Sequence, residues 1–126
     1  MAIHEFPLHH DVLGLIRSGK KDLIVAIVPE NLEETQIAIG DVLMFAKDLR
    51  KVVGAIRWYA SFDIMLEHED QNRIRPDTTK IQMMQRLLEQ FSATEEERGI
   101  LVYEIVPHLR LVSTDLVKKK KKTTFR

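Results

Sequence analysis

In LIRSGKKDLIVAIV (Leu15–Val28) one apolar periodicity gives way to another across a single glycine. Upstream, Val12, Leu13, Leu15 and Ile16 make one apolar face of a helix over His10–Ser18. Asp11 or His10 stands near its start, where an acidic group suits the helix dipole. Gly19 stands where a left-handed residue ends a helix. Downstream, Asp22–Val28 is β-branched and aliphatic, and Pro29 stops it. Leu23, Val25 and Ile27 share one face of that strand; Ile24, Ala26 and Val28 share the other. Both faces are apolar, so the strand is expected to be buried on both sides, inside a small barrel or under a helix. Lys20 and Lys21 occupy the joint. Successive strand residues point to opposite sides, so one of the two lysines is expected to be solvated.

Working outward, His4–Leu8 reads as a short first strand that Pro7 places at an edge. Glu30–Gln36 is a polar loop. Gly40-Asp41 is a turn signal before a strand at Val42–Phe45. Lys47–Arg50 connects to a strand at Val52–Tyr59, where Gly54 marks a bulge or a close approach. On that strand Trp58 is expected in the core, and Arg57 and Tyr59 share the opposite face. Ser61 can cap a helix over Phe62–Glu69 with Ile64, Met65 and Leu66 inward. The segment EHEDQNRIRP reads as a loop. Asp77 or Thr78 caps a second helix reaching Phe91, with Ile81, Met84, Leu87, Leu88 and Phe91 at helical spacing. Thr94 and Glu97 have capping-box spacing for one short turn. Ile100–Val106 is a last strand closed by Pro107, and residues 108–117 can form one more. The order β–α–β–β–β–α–α–β predicts an α+β fold: a small, mixed, partly closed β-barrel with flanking helices.

The 126 residues are expected to form one domain over 1–117 and a basic, disordered tail over 118–126. The tail, KKKKKTTFR, carries six basic residues and no acidic one; residues 1–117 hold 13 basic and 19 acidic, a net of −6. The chain has no cysteine. This excludes disulfides, thiolate nucleophiles and cysteine-type zinc sites, and fits a reducing cytoplasm. No apolar run reaches the ~18 residues of a membrane span, so no membrane partner is expected.

At this point the order of motifs resembles the ASCH domain (activating signal cointegrator homology) of the PUA-like β-barrel superfamily. The resemblance rests on a first strand and helix ending in "SGKK", then "IAIGDVLMF", then "VVGAIRWYASFDIMLEHE", and then "GILVYEIVP". It covers roughly residues 3–107. It implies a cleft between the barrel and its first helix that holds RNA or a nucleoside. Some members resemble amidohydrolases of N4-acetylcytidine, which look to use a lysine just after the glycine, a threonine three residues later and a glutamate beyond the fourth strand. Lys21 falls on the lysine. Ile24 stands where the threonine is expected, and Ala26 where the fuller motif has arginine. Glu67, Glu69 and Asp70 lie near the glutamate's place. Threonine would be the nucleophile, and isoleucine cannot replace it.

The expected ligand-binding residues are therefore Arg17, Ser18, Gly19, Lys20, Lys21, Arg57 and Tyr59. Arg57 could hold a phosphate while Tyr59 stacks on a base. Lys21 and Glu104 are the candidates should catalysis remain. Glu104 interrupts a strand and needs a partner, either Lys21 or Arg57. No cofactor is expected, since there is neither a glycine-rich phosphate loop nor a nucleophile elbow. No metal is expected either: His9 and His10 are adjacent, and adjacent residues do not share a helix face. The leading expectation is an RNA- or nucleoside-binding domain. The alternatives are an N4-acetylcytidine amidohydrolase-like enzyme with altered catalytic groups, and a protein-interaction module docking through Met83, Met84 and Leu88.

Overall fold

A computed structural model describes residues 1–31 and 36–107. The expected strand at 108–117 and the basic tail at 118–126 lie outside the described residues. The elements are β1 (Ile3–Glu5), α1 (His10–Arg17), β2 (Leu23–Ile27), β3 (Val42–Ala46), β4 (Leu49–Tyr59), α2 (Phe62–His68), α3 (Gln71–Ile74), α4 (Lys80–Gln90), α5 (Ala93–Glu97) and β5 (Ile100–Pro107). They form one five-stranded sheet in the order β1-β3-β4-β5-β2. β1 pairs with β3 in parallel, and every other pair is antiparallel. The sheet curls into a small, partly closed barrel with flanking helices, the expected α+β plan. Its two edges are β1 and β2.

The joint after α1 is built as its sequence requires. Gly19 takes φ +79°. Its N–H donates to the Ile16 carbonyl at 3.1 Å, and the Lys20 N–H donates to the Leu15 carbonyl at 3.0 Å. This pair of bonds is a Schellman motif, which satisfies the last helical carbonyls and turns the chain sharply into β2.

β2 packs on both faces, as its pattern predicted, but only Leu23 and Ile24 are fully buried; Val25, Ala26 and Ile27 are half-buried. Leu23, with Val25 and Ile27, packs in a cluster with Phe62, Met65 and Leu66 of α2, Ile74 of α3, and Met83 and Leu87 of α4. Ile24, with Ala26, packs in a second cluster with Ile16 of α1, Leu43, Phe45, Val53 and Tyr103. The sheet thus carries α1 on one face and α2–α4 on the other. In β4 the register shifts between Val53 and Ala55, so Gly54 is the bulge. A Cβ there would lie 3.2 Å from the Val106 Cγ1, so the position is also a close approach.

Several expectations are corrected. Trp58 is 60% exposed rather than in the core; its indole lies against Gly99, where the missing Cβ leaves it room. Ile64, Ile81 and Leu88 are exposed, while Met83 is buried. The apolar face of α4 is therefore set by Met83 and Leu87 together with Met84. Of the three residues expected to dock a partner, Met83 lies in the core, Met84 is half-buried and Leu88 is exposed. α4 is capped by Thr79 and Gln82 rather than by Asp77 or Thr78, and α5 by Ser92 and Glu95 rather than Thr94 and Glu97. In each case the neighbouring hydroxyl reaches the third amide of its helix in capping-box geometry. Ser61 caps α2 as expected. Asp70 caps the short α3 inside the expected loop. β1 is shorter than expected, ending at Glu5, and β4 begins earlier, at Leu49.

Candidate functional site

The two lysines after Gly19 part company as expected. Lys20 is exposed. Lys21 turns inward, and its Nζ donates to the carbonyls of Leu23 at 2.8 Å and Ile74 at 2.7 Å. An ammonium has three donors. One N–H therefore remains without a partner among the described residues. Burial, and next the neighbouring Arg75 guanidinium, pull the Lys21 pKa down from 10.5 to about 8; Asp22 opposes the shift.

Lys21 lines a cleft of about 610 Å³ that runs along β2. That volume lies in the range of small-molecule sites. Phe6, Leu8, Val12 and Leu15 form the wall from the β1–α1 side; Met83, Leu87 and Phe91 form the wall from the α4 side. Lys21, Arg75 and Arg86 bring positive charge, and Glu89 and Glu95 bring negative charge. α5 lies at the far end of β2, because Arg98 Nε donates to the Val28 carbonyl and the Val28 N–H donates to the Gly99 carbonyl. Glu95 therefore stands away from Lys21, whereas Glu89 lies with Arg75 and Arg86.

Beside it lies a charged network that sequence reasoning only partly found. Arg57 donates to both carboxylate oxygens of Glu69, and its Nη1 donates to Glu104 at 2.9 Å. The Tyr59 hydroxyl donates to Glu69 at 2.6 Å. Arg73 makes a two-pronged contact with Asp22 at 2.8 and 2.9 Å and also reaches Glu104 at 3.2 Å. Of the two partners expected for Glu104, Arg57 is the one present. The Glu69 side chain is 4% exposed. Its burial, which works against ionisation, is outweighed by the Arg57 and Tyr59 hydrogen bonds, so its pKa is lowered. Asp22 and Glu69 were legible as charges, but nothing local marked them as partners of residues 51 and 12 positions away. The network ties α3 to the start of β2, and so places the Ile74 carbonyl where Lys21 meets it.

The other expected ligand residues stand outside the cleft. Arg17 forms an exposed pair with Asp48 at 2.8 Å, and the Ser18 hydroxyl donates to the Leu15 carbonyl. Gly19 is the helix stop, and Arg57 and Tyr59 are committed to Glu69. Ile24 and Ala26 line the cleft, and among the described residues its lining includes no serine, threonine or tyrosine hydroxyl. His9 and His10 do come together, with ring centroids 5.4 Å apart. His9 is the extended N-cap of α1 and escapes the helical spacing rule. Both rings and Asp11 are exposed.

Fold and cleft together define a small α+β protein built on a partly closed barrel. The chain is similar to the hypothetical protein PH0355, with a TM-score of 0.69 and 31% identity over 85% of this chain and 99% of that one. It is likewise similar to protein PF0455 from Pyrococcus furiosus, with a TM-score of 0.70 and 30% identity over 85% of this chain and 98% of that one. The chain belongs to the family of these two proteins. No family model and no curated protein matches it. Among the described residues, no helix is long and apolar enough to cross a membrane.

Proposed function

We propose that the chain is an ASCH-like domain that binds a nucleotide, free or within a short single-stranded RNA, in the cleft along β2. The observation that carries this reading is the Lys21 ammonium, held in the cleft with one donor unengaged among the described residues and with Arg75 and Arg86 on the same lining. With a pKa of about 8 the amine is mainly charged at neutral pH, so it suits a phosphate. Phe6 and Phe91 offer aromatic surface for a base. The net charge of −6 over residues 1–117 favours a confined anion site over a broad nucleic-acid face. Binding is preferred to amide hydrolysis because apolar Ile24 occupies the place of the nucleophile and is buried.

The test is calorimetric titration with cytidine monophosphate and with a short single-stranded RNA at two salt concentrations. Binding that weakens with salt and falls at least tenfold in Lys21→Met is expected. No heat from either ligand at millimolar nucleotide rejects the proposal. Release of acetate from N4-acetylcytidine by the same sample would replace it with the amidohydrolase reading.

A further inference from the structure

A second cavity adjoins the cleft and shares part of its wall. It has a volume of about 490 Å³ and lies where the chain turns from α3 into α4. Arg75, Arg86 and Glu89 line both spaces, so the two meet at these three side chains. Arg75, at the end of α3, is half-buried; Arg86 and Glu89 are exposed on α4. Among the described residues, no hydrogen bond or ion pair engages either guanidinium or the Glu89 carboxylate. The Lys21 ammonium lies close enough to Arg75 for the two charges to repel. Three cations against one carboxylate leave this junction net positive.

The two spaces differ in chemistry. The cleft has apolar and aromatic walls. The second cavity is lined by Pro76 and otherwise by polar side chains, among them Asp77, Gln82 and Gln85. The Gln82 side-chain oxygen accepts from the Thr79 N–H, which leaves its amide N–H groups as donors. The Asp77 carboxylate supplies acceptors.

An occupant of both spaces must therefore carry an anion between two groups, the first able to pack on aromatic rings and the second with polar edges. A dinucleotide step has this order: base, phosphodiester, base. Guanidinium groups match the phosphodiester in charge and geometry. Glu89 needs a donor facing it rather than a phosphate oxygen. The ribose 2′-hydroxyl beside the phosphodiester is such a donor, and deoxyribose lacks it.

Resting on the nucleotide reading above, we propose that the cavity at the α3–α4 turn is a second nucleotide subsite. Arg75 and Arg86 hold the phosphodiester that joins it to the cleft, and Glu89 accepts from the neighbouring 2′-hydroxyl. The ligand is then single-stranded RNA of at least two nucleotides, not a free mononucleotide.

The test is calorimetric titration of the unchanged chain, Arg86→Gln and Glu89→Gln. The probes are cytidine monophosphate, the 5′-phosphorylated dinucleotide pCpC and the 2′-deoxy form of pCpC. The first two differ only by one phosphodiester and one nucleoside. Both substitutions lie at exposed helix positions, where glutamine is a good helix former. In the unchanged chain pCpC should bind at least tenfold tighter than the monophosphate and at least fivefold tighter than its deoxy form. Arg86→Gln should bring the first ratio below threefold, and Glu89→Gln should bring the second below twofold. Equal affinity for the monophosphate and pCpC in the unchanged chain overturns the inference and leaves the nucleotide reading standing. A first ratio that survives Arg86→Gln, or a second that survives Glu89→Gln, also overturns it. Absence of binding by all three probes rejects the nucleotide reading itself, and this inference with it.

Discussion

The Lys21 ammonium meets the Ile74 carbonyl oxygen at 2.7 Å, joining the turn after α1 to the end of α3 across 53 residues. The contact holds a cation inside an otherwise largely apolar cleft, and burial is the main reason its pKa falls to about 8. The unfolded chain therefore binds more protons than the folded chain between about pH 8 and 10.5. Over that window stability rises with pH; below it the penalty is constant. Relative to Lys21→Met, the unchanged chain should gain about 2 kcal/mol between pH 7 and 9.5, from 1.36 kcal/mol per pK unit. Urea unfolding of both chains at the two pH values measures this. An NMR titration of the Lys21 side chain should have its midpoint near pH 8.

Glu69 is the buried anion of the charged network, and Arg57 is its main counterion. Removing one partner of a buried pair leaves an uncompensated charge, which costs about 3–5 kcal/mol when both are fully buried. A third of the Arg57 side chain is exposed and Tyr59 stays bonded, so Arg57→Ala should cost about 2–3 kcal/mol. The conservative Glu69→Gln should cost less. Denaturant midpoints of the two variants give the order.

Asp41 anchors the first strand. Its carboxylate accepts from His4 at 2.8 Å and from the amides of Ala38 and Ala2. The His4 bond first, and then these amides, hold its pKa down at about 2. A depressed carboxylate pKa contributes stability that is present above the unfolded value and lost as pH falls through the folded one. Acid unfolding of the unchanged chain should therefore steepen between about pH 4 and 2. Asp41→Asn should lack that component and should exchange the amides of β1 faster at neutral pH.

The same substitution at two glycines of the first helix and its turn should have opposite signs. Gly14 lies within α1, and a Cβ there meets nothing within 4 Å. Gly14→Ala should stabilise by about 0.5–1 kcal/mol through helix propensity. Gly19 is equally open, but it sits at φ +79°. Gly19→Ala should destabilise by about 1 kcal/mol from backbone strain alone. Thermal unfolding of the two variants should therefore shift in opposite directions.

Much of this was legible locally. The stop at Gly19, the two apolar faces of β2, the bulge at Gly54 and the Ser61 cap each depend on residues within a few positions of one another. Periodicity and capping chemistry are short-range signals, and the sequence carries them directly. The order of the strands and longer helices that they defined is the order observed, with the short α3 and α5 added between β4 and β5. Caps slipped by one or two positions at α4 and α5, because Thr78 and Thr79 offer the same hydroxyl and only backbone geometry selects between them.

The site was another matter. Lys21 could be named from the motif, but its acceptor on Ile74 could not, because no local pattern links residues 53 apart. Arg57 and Tyr59 looked available to a ligand until α2 brought Glu69 over them. Trp58 looked like core, but its indole lies against Gly99 and stays exposed. The sequence by itself determined the five strands, the longer helices and the stop at Gly19, since those rest on local backbone preferences and side-chain period. Tertiary structure alone decided which charges pair, which apolar residues stay wet and which strand edge is left open. Those outcomes depend on which distant surfaces exclude water from one another.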